Sequence, residues 1–149
     1  METVLYDQDF YAWAKRNAEL LRQGRTSEVD TEHIAEELES MTRSEKRELV
    51  NRLAILMAHL LKWQLQPMRR SNSWKNTIEV QREDVIELLE DSPSLRHEID
   101  DNLEKAYGKA TRLAAAETGM NREAFPDVCP YSVDQVLAAG FWPEQEAPR

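Results

Sequence analysis

Proton transfer would need a histidine with a carboxylate within reach, and His59 and His33 are placed to supply one. At helical angles His59 falls between an apolar face and a polar side carrying Glu48 and Arg52. A partner such as Glu37 could hold its ring there and shift its pKa, a route to acid or base work. The same position suits a core-edge histidine bonded to a carboxylate or carbonyl, which a buried polar group needs whatever its function. We adopt that second reading. His33, Glu36 and Glu37 form H-x-x-E-E, a spacing that brings histidine and glutamate together on a helix. A metal would require further convergent ligands, and the Glu-x-x-His repeat of helical metal bundles is absent. We therefore expect no metal and read His33 and Glu37 as a surface or seam pair. Cys129 would be a nucleophile only if a histidine approached it, so it reads as a packed thiol. There is no Gly-rich phosphate loop, no G-x-S-x-G and no Cys/His cluster. No catalytic motif is recognisable, and neither a cofactor nor a small-molecule ligand is implied.

A second kind of chemistry lies in Lys62, Trp63, Arg69, Arg70, Trp74 and Lys75, which mix positive charge with indole rings around one helix connection. Phosphate backbones and acidic peptides favour such mixtures. Trp63 and Trp74 also lie on inward stripes, and the arginines could cap carbonyls at a helix end. Charge is unevenly spread: residues 1–40 carry 4 basic and 10 acidic side chains, 41–82 carry 9 and 3, and 83–149 carry 6 and 15. The basic middle either pairs with the acidic flanks or stays open for an acidic partner. With net charge −9, a nucleic-acid partner is not the leading expectation.

These side chains need helices to position them. The most apolar stretch runs from Leu53 to Leu61, within a helix expected over about 42–66, capped by Thr42 or Ser44 and stopped by Pro67. Its broad face of Leu49, Val50, Leu53, Leu56, Met57, Leu60, Leu61 and Trp63 must be enclosed by neighbouring helices. Before it, Asp9 or Gln8 starts a helix with the stripe Phe10, Trp13, Ala14, Asn17, Leu20 and Leu21, ended by Gly24. Asp30 then caps a helix turning Ile34, Leu38 and Met41 inward. After Pro67, Ser71 or Ser73 caps a fourth helix with the seam Trp74, Ile78, Gln81, Val85 and Leu88. Ser92-Pro93 opens a fifth, with a break expected at Tyr107-Gly108 and a cap at Gly119. The capping-box pattern Ser132-x-x-Gln135 opens a short last helix. The expected fold is all-α: one helical domain over 1–149, a bundle around the central helix, with a short C-terminal helix and an aromatic tail across one end. Asn17, Glu37, His59, Gln81 and Arg82 are the buried-polar candidates and read as structural.

The blocks AEELESM (35–41), SEKREL (44–49), HLLKWQLQP (59–67), RRSNSW (69–74), LLEDSPSL (88–95) and ETG (117–119), with CPY and FWP near the end, resemble the domain-of-unknown-function 29 family. The resemblance covers nearly the whole chain and implies a small helical bacterial protein, common in cyanobacteria, with no biochemical activity attached. Gly108 stands near a place where the family often has proline, and either residue would mark a helix boundary.

Residues 1–10 have no apolar leader, and the longest apolar run is well short of the roughly 20 residues that span a bilayer. A lone cysteine fits a reducing compartment, so the expected location is the cytoplasm, away from membranes. The leading functional expectation is a structural or protein-interaction module, binding another protein or another copy of itself through Lys62, Arg69, Arg70, Trp74 and Lys75. The alternatives are an enzyme using a polar seam of Glu37, His59 and Arg82, and a nucleic-acid binder using the basic-aromatic patch.

Overall fold

Between Asp30 and Pro67 there is neither glycine nor proline, and the chain uses that freedom to form one uninterrupted helix of 35 residues. The computed structural model describes residues 2–144, which form α1 (Glu2–Gln8), α2 (Phe10–Arg22), α3 (Thr31–Leu65), α4 (Asn72–Asp91), α5 (Arg96–Thr118) and α6 (Val133–Leu137). The fold is all-α, with no strand among the described residues. None of these helices is long and apolar enough to cross a membrane. The chain divides into two compact units, Met1–Glu45 and Lys46–Arg149.

In the first unit Asp9 caps α2 by accepting a hydrogen bond from the Ala12 N–H, and Gly24 takes the left-handed conformation just past its end. Helix α1 was not legible in advance. The inward stripe of α2 is narrower than its apolar residues suggest: Trp13, Asn17 and Leu20 are buried, whereas Phe10 and Leu21 are exposed. Leu38 and Met41, expected to face inward, are 58% and 63% exposed. Helices of 7 and 13 residues have too little surface to enclose every apolar side chain of this unit.

In the second unit the continuation of α3 is the spine. Leu49, Leu53, Leu56, Met57, Leu60 and Leu61 are fully buried, each stabilising the fold by about 1.5–3 kcal/mol relative to exposure. The pairs Arg52–Asp84 and Lys62–Trp74 run α4 antiparallel to it, while Lys46–Glu98, Asn51–Lys109 and Lys62–Glu117 run α5 parallel to it. Ser71 caps α4 by accepting from the Trp74 N–H, and Ser132 and Gln135 complete their capping box on α6. The buried seam of α4 is Ile78, Arg82, Val85 and Leu89, with Trp74, Gln81 and Leu88 only half-buried, so it is rotated slightly from the expected one.

Two expected helix ends are absent. The central helix begins at Thr31 rather than near Thr42, because the Thr42 hydroxyl donates back to the Glu39 carbonyl instead of capping. Helix α5 runs through Tyr107-Gly108 without a break, since Ala106, Tyr107 and Ala110 are all buried and packing outweighs the weak helix preference of glycine. Its end is where the sequence put it, at Gly119 with φ +75°. A methyl group at Gly108 would meet nothing within 4 Å. Gly108→Ala should therefore raise stability by about 0.5–1 kcal/mol, read as a higher urea midpoint at unchanged slope; a lowered midpoint would mean that α5 is not continuous there.

Candidate functional site

Trp13, Asn17, Asp30 and His33 join in one polar network in the first unit. The Trp13 Nε1–H donates to Asp30 Oδ2 at 3.0 Å, His33 Nδ1 to the same oxygen at 2.7 Å, and the Asp30 N–H to Asn17 Oδ1 at 2.8 Å. Asn17 Nδ2 donates to the Trp13 carbonyl. His33 is thus paired with Asp30 and not with Glu37, which accepts from the Tyr6 hydroxyl. Tyr6 stacks on the His33 ring at 4.0 Å, and its own hydroxyl is pushed up to about 12 by its bond to Glu37. The Asp30 partner raises the pKa of His33. Desolvation pushes the Asp30 carboxyl upward, but the bonds from Trp13 and His33 prevail and hold it below its ordinary value.

His59 donates its Nδ1 proton to the Ile55 carbonyl one turn back at 2.9 Å, since that oxygen can only accept. Burial, with a smaller contribution from Lys62, lowers its pKa. Glu37 and His59 thus each have a partner within their own unit, and so does Arg82. The Arg82 Nε donates to the Val136 carbonyl at 2.8 Å and its terminal nitrogens to the carbonyls of Phe141 at 2.7 Å and Ala139 at 3.5 Å. This guanidinium collects carbonyls from the last turn of α6 and the segment after it and lies over Trp142, 5.5 Å from the ring centre. Arg82 sits between Ile78 and Val85 in helical register, a spacing that marks it as buried but cannot reveal its carbonyl partners, more than 50 residues away.

The basic-aromatic connection is largely taken up internally. Lys62 is 6% exposed, paired with Glu117 at 2.9 Å and set against the face of Trp74 at 4.7 Å. Arg70 caps the end of α3 through the Trp63 carbonyl and stacks on Trp63, which packs on Trp142 at 4.7 Å. Arg69 and Lys75 point to solvent. Gln64 accepts from the Tyr131 hydroxyl, a buried pair that spacing did not indicate, while Gln81 Oε1 is buried without a partner among the described residues. Cys129 lies beside Met57 with its thiol donating to the Tyr131 carbonyl, and burial raises its pKa, so the thiolate is disfavoured. No group of three or more potential metal ligands converges among the described residues.

An open feature lies on the other side of α3. Between α3 and α5 runs a groove of about 510 Å³, floored by Ala54, Ile55, Leu113 and Ala116 and edged by Asn51, Lys109 and Arg112. Ala54 is fully buried while Leu113 is 39% exposed, so the floor deepens between the helices. Lys109 bonds Asn51 at 2.9 Å, and neither Lys109 nor Arg112 is paired with a carboxylate among the described residues. Helical spacing foretells α3 and α5 separately, but not that they leave a cleft between them.

Fold and site together define an all-α protein with an apolar, cation-edged groove between two of its helices. The chain belongs to the family described as Domain of unknown function DUF29, whose model matches residues 5–142. Neither a curated protein nor a solved structure matches it.

Two outcomes follow from the polar networks. The raised pKa of His33 contributes stability that is complete below its unfolded value near 6.5 and is lost as pH rises through the folded value; the depressed pKa of Asp30 contributes stability that is complete above about pH 4 and is lost as pH falls through its folded value. The pair is strongest between those limits. In an NMR titration His33 should titrate above an ordinary histidine and return toward it in Asp30→Asn; an unmoved His33 pKa in that variant would contradict the pairing. Arg82→Ala should cost about 2–4 kcal/mol, because partly buried carbonyls lose their donors, and should alter the fluorescence of Trp142. Arg82→Lys, lacking the fork, should recover little of that loss.

Proposed function

We infer that this protein is a helical interaction module that acts by binding another protein chain through the α3–α5 groove. The observation that carries the reading is the groove itself: an apolar floor left open between two helices, edged by Lys109 and Arg112 with no carboxylate partner among the described residues. Such a cleft is the shape that receives the apolar face of an amphipathic helix. Apolar surface gathered in one place and rimmed by charge is what distinguishes a docking site from scattered exposed side chains.

The other readings draw less support. An enzyme built on Glu37, His59 and Arg82 would need those groups free to meet a substrate, and each is already bonded to a protein group. A nucleic-acid interface built on Lys62, Arg69, Arg70 and Lys75 would lose Lys62 to Glu117 and part of Arg70 to the end of α3.

The decisive experiment compares the full chain with Leu113→Glu, which places a carboxylate on the groove floor at a partly exposed position. Stability should change little, by about 0.5 kcal/mol. Cross-linking followed by mass spectrometry should recover a bound protein chain, itself or another, with the wild type, and at least tenfold less of it with the variant. If what is recovered does not depend on Leu113, the reading fails.

A further inference from the structure

The groove edge is cationic in a chain of net charge −9, so the expected occupant is a helix whose apolar stripe is bordered by carboxylates. This chain carries such a helix. Within the first unit, Leu38 and Met41 lie on one face of α3 and are 58% and 63% exposed. Ala35, exposed as well, lies one turn from Leu38. Glu32 and Glu39, two turns apart and both exposed, share the border of that stripe. Residues 1–40 carry a net charge of −6, from 4 basic and 10 acidic side chains. Stripe and groove thus match in kind: aliphatic side chains against aliphatic floor, glutamates against Lys109 and Arg112.

Resting on the interaction reading above, we propose that the groove's occupant is a second copy of this chain, whose α3 stripe of Leu38 and Met41 lies in the α3–α5 groove of its partner. Each copy owns one stripe and one groove, so every copy can both give and receive this contact and the chain associates with itself. The carboxylates of Glu32 and Glu39 then stand beside the ammonium of Lys109 and the guanidinium of Arg112. Desolvating the aliphatic side chains supplies the drive, and the charges select the register and the partner.

Charge reversal tests this with surface substitutions that leave both hydrophobic surfaces intact. Variant one is Glu32→Lys with Glu39→Lys; variant two is Lys109→Glu with Arg112→Glu. Sedimentation of the full-length wild type should show concentration-dependent self-association. Each variant alone places like charges at both contacts and should weaken that association at least tenfold, with an unchanged circular-dichroism spectrum. An equimolar mixture of the two variants restores opposite charges at both contacts and should recover it. Cross-links in a mixture of isotopically light and heavy chains should join residues near Met41 of one copy to residues near Leu113 of the other. A wild type that stays monomeric overturns the proposal, as does an association indifferent to reversal, a mixture that recovers nothing, or cross-links confined to single chains. If no self-association occurs while Leu113→Glu still abolishes capture of a different protein, the proposal falls and the groove keeps its interaction role.

Discussion

A helix that is apolar around much of its circumference cannot stand in water, and from Leu49 to Leu61 α3 is such a helix. Enclosing it accounts for the rest of the second unit. Helix α4 supplies Ile78, Val85 and Leu89 to one flank, and α5 supplies Ile99, Ala106, Ala110 and Ala114 to another. The segment after α5 adds Phe125, Tyr131, Val136 and Leu137 to the same core. Met57 fills the space beside Cys129.

Closing the core with an irregular C-terminal segment creates a second demand, because carbonyls of non-helical chain lie against it. Arg82 meets that demand. Its planar fork reaches three carbonyl oxygens at once, which a lysine could not do, and burial lowers its pKa without removing its charge. The indole of Trp142 covers the guanidinium and in turn packs on Trp63, which carries Arg70 on its face. Cations and rings that could have formed an outward patch serve instead to hold segment 136–142 to α4 and to the end of α3. The α3–α5 groove, in contrast, stays open.

The first unit solves a smaller problem by other means. With short helices that cover only part of its apolar surface, it relies on one carboxylate, Asp30, that takes hydrogen bonds from both an indole and an imidazole. The Tyr6, Phe10 and Trp13 rings gather around that network, and Asn17 ties it to the backbone. What remains outside is the stripe of Leu38 and Met41, apolar and without cover in this unit.

Helix periodicity, caps and breakers are local, so the sequence alone determined the all-α class, the spine ending before Pro67, the caps at Asp9, Ser71, Ser132 and Gly119, and most of the core side chains. Local rules erred where local signals compete: Thr42 could cap or continue a helix, and Gly108 could break one or be carried through by the packing of Ala106 and Ala110. Tertiary structure alone decided which apolar residues are covered, since Leu38 and Leu53 read alike in sequence and differ only in what packs on them. It also decided the partners of Arg82 and Lys62, because a hydrogen bond between distant residues depends on where helices cross, and no spacing along one helix records that.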